Sequence, residues 1–292
     1  MDFEELASGY CFLEGPRVVG DDIWFTDILL GGIYRRSPDG RIDCFLPGRT
    51  HSGGICANHD GRIVSGGQDG IIWLDPAAGE TGTILAEIPG ATFLGANDFI
   101  PDDRGGLYFG TFASGGGYDK QEPIPCAIWH IDPGGKVTLQ DEGLRICNGM
   151  GLSPDGRQFY HNESLVGIFV YDVAEDGSLG PKRLFNERTD GDGLAVDAAG
   201  GVWAACFDSG AIVRHLPDGS ADRVVPLPEP HHVIASLCFG GPDWRDLYVA
   251  TAGSDGVNAM MRGELPAREA SLFRARSDIP GRPVAETRFR TD

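Results

Sequence analysis

Four oxygen-bearing side chains stand at matching points of a repeated segment: Glu14, Asn97, Asn148 and Asp192. The segment from Asn148 reads Asn-Gly-Met-Gly-Leu-Ser-Pro-Asp-Gly, and the one from Asp192, Asp-Gly-Leu-Ala-Val-Asp-Ala-Ala-Gly, is a near copy; fainter copies begin at Asn97 and Glu14. Each reads as a short buried strand that opens on a polar residue and closes in a tight turn. The next strand starts 9 residues after Glu14, 10 after Asn97, 11 after Asn148 and 10 after Asp192. Two further copies hold Ser52 or Gly53, and Ser236, at the matching place. Two carboxylates and two amides brought together at one depth are costly to bury unpaired. A hard cation resolves that cost, with Glu and Asp supplying charge and the Asn carbonyls completing an oxygen shell for Ca²⁺ or a similar ion. No Cys or His occupies these places, which disfavours structural zinc. Singly, each residue is more readily a turn cap; four in register open the metal reading.

The elements that position them repeat around the chain. A Gly or Asp-Gly pair precedes an apolar strand beginning at Ile23, Ile63, Leu107, Phe159, Val202 and Leu247, at intervals of 40, 44, 52, 43 and 45 residues. A second apolar strand follows each, over 32–35, 70–73, 127–130, 167–170, 211–214 and 271–274, and most run into another turn such as Pro38-Asp39-Gly40 or Pro217-Asp218-Gly219. Six units of about four strands predict an all-β, six-bladed β-propeller spanning residues 1–292 as one domain. In a propeller the first strand of each blade lines a central channel, so the repeated polar positions form a ring. No helical period is sustained over a typical helix length. The long insertions, 113–124 and 254–270, follow the second strand of a blade and are expected to cover one mouth of the channel. An N-terminal strand and the tail are expected to complete the last sheet.

The 44 glycines among 292 residues sit at these turns rather than in a low-complexity run. A net charge of −19 argues against nucleic acid and anionic membranes as partners. Seven widely spaced cysteines, with no Cys-x-x-Cys, suit reduced, buried thiols in a cytoplasmic protein. The acidic N-terminus shows no signal peptide, and no segment approaches a membrane span. A monomer or weak homo-oligomer is expected.

Leu13-Glu14-Gly15-Pro16, Trp24-Phe25-Thr26-Asp27, Asn97-Asp98, Cys147-Asn148-Gly149-Met150-Gly151, Asp190-Gly191-Asp192-Gly193 and Leu247-Tyr248-Val249-Ala250-Thr251 together give the chain a resemblance to the senescence marker protein (regucalcin) and gluconolactonase family. That resemblance extends over about residues 10–290. It implies a six-bladed propeller with one divalent cation at the channel mouth, hydrolysing lactones. By the same match Glu14, Asn148 and Asp192 are metal ligands, and Asn97 contacts metal, water or substrate. Ca²⁺ is the first expectation, with Zn²⁺, Mn²⁺ or Fe²⁺ as alternatives. Asp192 is the expected base and Glu14 the second choice. Family members acting on sugar lactones carry an Arg where this chain has Gly95, and a Glu in the loop that here reads Ala113-Ser114-Gly115-Gly116-Gly117-Tyr118. Loss of both points to a lactone or ester less polar than a sugar lactone. Tyr118, His231 and His232 are candidate substrate contacts in loops facing the mouth. The rival readings are a metal-dependent ester or organophosphate hydrolase on the same site, and a non-enzymatic calcium-binding propeller.

Overall fold

The computed structural model describes residues 1–112, 125–228 and 233–291. Six four-stranded antiparallel sheets follow one another along the chain. The first is β2 (Leu13–Val19), β3 (Asp22–Asp27), β4 (Ile33–Arg36) and β5 (Ile42–Phe45). The second is β6 (Ile55–Ala57), β7 (Ile63–Ser65), β8 (Ile71–Asp75) and β9 (Glu80–Leu85). The third is β10 (Ala96–Pro101), β11 (Leu107–Thr111), β12 (Cys126–Ile131) and β13 (Val137–Leu144). The fourth is β14 (Cys147–Leu152), β15 (Gln158–Glu163), β16 (Gly167–Asp172) and β17 (Arg183–Asn186). The fifth is β18 (Gly191–Val196), β19 (Val202–Cys206), β20 (Ala211–His215) and β21 (Ala221–Pro226). The sixth is β22 (Ile234–Gly240), β23 (Asp246–Thr251) and β24 (Ala270–Arg276), completed by β1 (Phe3–Tyr10) from the other end of the chain.

Inner strands touch in the cyclic order β2, β6, β10, β14, β18, β22 and back to β2, so the six blades close into the expected propeller. One sheet cannot bury both its faces alone; the apolar residues of each blade pack against the next. Ile100, Tyr108 and Ile128 of the third blade meet Met150, Leu152 and Phe159 of the fourth. Tyr160 and Ile168 on the fourth blade's other face meet Leu194 and Val202 of the fifth. The remaining junctions repeat this arrangement. Turn chemistry holds the register: Asp39, Asp155 and Asp218 each accept from the backbone N–H two residues on.

Two features depart from the sequence reading. The insertion before β24 contains a short helix, α1 (Gly256–Arg262). The C-terminal tail does not join the sixth sheet. It crosses the end of the channel opposite the ring, bridging at Gly281 to Asp197 and at Thr287 to Asn58. Arg282 anchors it through Asp103 at 2.6 and 2.7 Å and the Ser153 carbonyl at 2.8 Å. The seven cysteines are free, six of them buried. Among the described residues no helix is long and apolar enough to cross a membrane.

Candidate functional site

The ring is built from bulges. Pairing of five of the six inner strands with their neighbours shifts at the polar position: between Glu14 and Arg17, Ala96 and Phe99, Cys147 and Met150, Gly191 and Leu194, and Ile234 and Ser236; β6 pairs with β7 without a shift. In three blades two residues, Asn97-Asp98, Asn148-Gly149 and Asp192-Gly193, thus oppose a single partner. A bulge bends the strand and re-aims its side chains, here into the channel. Gly149 is required by close approach: a Cβ there would lie 2.2 Å from the Leu194 nitrogen and 2.6 Å from the Asp192 carbonyl.

The structure brings Glu14, Asn97, Asn148 and Asp192 together. Asn97 Nδ2 donates to Asn148 Oδ1 at 2.7 Å and to the Cys147 carbonyl at 2.9 Å. Asn148 Nδ2 donates to Ser164 Oγ at 2.8 Å, and that hydroxyl donates to the Gly191 carbonyl at 2.6 Å. Asn162 Nδ2 donates to the Asp192 carbonyl at 2.7 Å and the Gly193 carbonyl at 3.3 Å. In the first blade Thr26 Oγ1 donates to the Ser52 carbonyl at 2.7 Å, with the Glu14 carbonyl at 3.2 Å. Ser236, the sixth blade's ring residue, lies near enough to the Glu14 carboxylate to lower its pKa against the effect of burial.

A third carboxylate, Asp98, lies in the same channel. Glu14, Asp98 and Asp192 are all under 10 % exposed. Burial, then Asp192 and Asp98, push the Glu14 carboxyl well above its ordinary range. Burial, then Asp98, do the same to Asp192. Burial pushes Asp98 up to about 6, with the Arg17 guanidinium pulling it back. Among the described residues no hydrogen bond or ion pair reaches the Asp192 carboxylate. Such a group of buried, mutually repelling acids fits a divalent cation, which would neutralise them. No three His, Cys, Asp or Glu side chains among the described residues form a metal-binding cluster. A cation here would therefore draw on the amide oxygens of Asn148 and Asn97 beside Glu14 and Asp192, an oxygen shell of the kind hard cations take.

A cavity of about 390 Å³ opens directly on Asn148 and Asp192. It is walled by the loop after β15, the loop after β19 and the start of α1. Tyr118, His231 and His232 lie outside the described residues. Other polar strand ends have structural roles. Asp27 accepts four backbone N–H groups, of Cys11, Phe12, Leu29 and Leu30. Glu163 pairs with Lys182 at 2.5 Å and accepts from the Arg145 N–H. His161 is sealed in the blade interior, where burial lowers its pKa to about 3. Asp98 is the residue sequence reasoning missed as a channel carboxylate; only the bulge between Ala96 and Phe99 brings it there.

A propeller with a buried acidic ring beneath an open cavity is an enzyme-like architecture shared by several protein classes, and sequence comparison narrows it. A family model described as SMP-30/Gluconolactonase/LRE-like region matches residues 12–253. The chain belongs to that family. It is 31% identical over 293 residues to pentonolactonase XacC of Haloferax volcanii, covering 96% of this chain and 94% of that one. It is 29% identical over 289 residues to the 6-deoxy-6-sulfogluconolactonase of Pseudomonas putida, covering 93% and 95%. The crystal structure of the calcium-binding protein regucalcin from Agrobacterium tumefaciens superposes with a TM-score of 0.79 at 22% identity, over 98% of this chain and 96% of that one.

Proposed function

We propose that this protein hydrolyses a lactone in a metal-dependent reaction at the channel mouth. The observation that carries the reading is the buried Asp192 carboxylate, which accepts no hydrogen bond from any described residue, beside Glu14 and Asn148 at the floor of a cavity. End-to-end similarity to two proteins named as lactonases supports the reaction class. Glu14, Asn148 and Asp192 would hold the cation with Asn97 beside them, and Ca²⁺ suits that oxygen-only set. When bound, the cation supplies Lewis-acid polarisation of the lactone carbonyl and stabilises developing negative charge. Asp192 takes the proton of the attacking water, with Glu14 as the second carboxylate able to do so. Asn162 and Ser164 fix the backbone and side-chain positions of Asp192 and Asn148 through the bonds described above. Gly95 carries no side chain that could serve as a substrate hook. Its φ is +100°, and a Cβ would come within 2.2 Å of the Gly67 carbonyl. This supports a substrate less polar than a sugar lactone.

The test is turnover of a lactone panel, from sugar lactones to alkyl and aryl lactones, by metal-stripped protein with Ca²⁺, Mn²⁺, Fe²⁺ and Zn²⁺ restored singly. Turnover is expected to return with a metal and to drop about 10²-fold to 10⁴-fold in Asp192→Asn, the usual contribution of a general base. Undiminished turnover after metal stripping removes the metal dependence. No turnover of any lactone with any metal removes the function.

A further inference from the structure

The cavity above the ring has two chemically distinct sides. Asn148, Ser164 and Asp192 form its polar floor. Phe207, Val233 and Val257 form an apolar wall, and their backs pack on a buried cluster of Cys11, Phe12, Leu29, Ala235 and Ala252. The Phe207 ring lies 5.8 Å from that of Phe12, which fixes the wall from behind. Phe207, Val233 and Val257 are only half-buried, so apolar surface remains to be covered.

Leu165 adds to the apolar lining. Its backbone is left-handed, at φ +69°. For a leucine that conformation costs on the order of 1–2 kcal/mol, and the chain holds it with a 2.7 Å bond from the Leu165 N–H to the Thr189 carbonyl. Such strain persists where the surroundings over-determine it, commonly at ligand sites. The charge of the cavity is one-sided as well. Asp190, Asp192 and Asp208 line it, and among the described lining residues there is no Lys, Arg or His. Arg188, close by in sequence, is paired with Asp190 at 2.9 Å. The polar rim residues Asp208, Ser254 and Asn258 are exposed to water.

Resting on the lactone-hydrolysis reading above, we infer that the substrate is an uncharged lactone carrying a hydrocarbon substituent, which Leu165, Phe207, Val233 and Val257 enclose. With Asp192 neutralised by the cation and Asp190 paired with Arg188, the exposed Asp208 carboxylate is left to disfavour a phosphorylated or sulfonated substituent by like-charge repulsion. A volume of about 390 Å³ lies in the range of small-molecule pockets.

The experiment measures kcat/KM of the metal-loaded protein on γ-lactones whose side chain grows from methyl to hexyl, alongside gluconolactone and its 6-phosphate. Efficiency is expected to rise about fourfold per methylene while the chain stays within the cavity, the gain typical of burying one CH₂. Leu165→Gly keeps the left-handed backbone without strain, and Phe207→Ala opens the opposite wall. Each is expected to lower the hexyl-to-methyl ratio at least about fivefold. A flat series, ratios unmoved by both variants, or a preference for gluconolactone or its 6-phosphate over the hexyl lactone overturns this inference and leaves lactone hydrolysis standing. Failure to turn over any lactone takes both down.

Discussion

Asp192 is positioned through its backbone rather than through its carboxylate. The Asn162 amide spans the bulge of β18, bonding the carbonyls of Asp192 and Gly193, and it is itself buried at 1% exposure. Removing it leaves two buried carbonyls without a donor, a loss of about 1–3 kcal/mol. Asn162→Ala is therefore expected to lower the Tm and, by loosening Asp192, to cut kcat/KM about tenfold to hundredfold, as outer partners of ligating groups do. Lactone kinetics beside thermal unfolding separates the two effects; wild-type efficiency in the variant would show that Asp192 needs no such support. Glu14, Asn148 and Asp192 were legible in the sequence because one polar residue recurs at a nearly constant distance from the next strand. Asp98 was not. Strict strand alternation sends the neighbour of Asn97 away from the channel, and only the bulge opposite β11 makes both residues part of it.

At the scale of elements, the sixth sheet depends on β1. Its residues Leu6, Ala7 and Tyr10 pack on the junction between the sixth and first blades, and Tyr10 meets Phe25 and Tyr34 edge-on at 5.4 and 5.1 Å. Deleting residues 2–10 exposes the β24 edge, a template for pairing between molecules, and uncovers that junction. The truncated protein is expected to melt at least about 10 °C lower and to self-associate on light scattering. An unchanged melting point would mean that the ring closes without β1. Second and third strands were legible because they are apolar runs after Gly turns. Outer strands such as β5 and β21 are half in water, and their polar alternation says little about their partners. The tail was misplaced for a related reason: its attachment at Arg282 and Thr287 is made to turns of other blades, which no local pattern encodes.

For the molecule as a whole, three buried acids raise the question of pH. A carboxyl whose folded pKa is raised contributes stability below its unfolded value, near 4, and loses it as pH rises through the folded value. Asp98, pushed up to about 6, sets that window at about pH 4 to 6, and Glu14 and Asp192 extend it upward. Metal-stripped protein is thus expected to melt roughly 5 °C lower at pH 7.5 than at pH 5, with Asp98→Asn reducing the difference. Calcium at a hundred times its Kd restores about 2.7 kcal/mol at the higher pH. A pH-independent melting point for the stripped protein contradicts the burial of these acids.

Sewing one sheet from distant parts of the chain has a consequence for biosynthesis. Phe3 pairs with Ala275, made 272 positions later. At about 5–20 residues per second, the first strand waits on the order of 15–60 s for its partner while the emerging blades form around an open ring. The channel mouth needs Glu14 from the beginning of that interval and Ser236 from near its end, so it cannot assemble on the ribosome blade by blade. Closure of so long a loop is slow. A nascent chain halted before Ser236 should therefore carry sticky, unpaired strands and no complete site, and its yield in a cell depends on what shelters it during that wait.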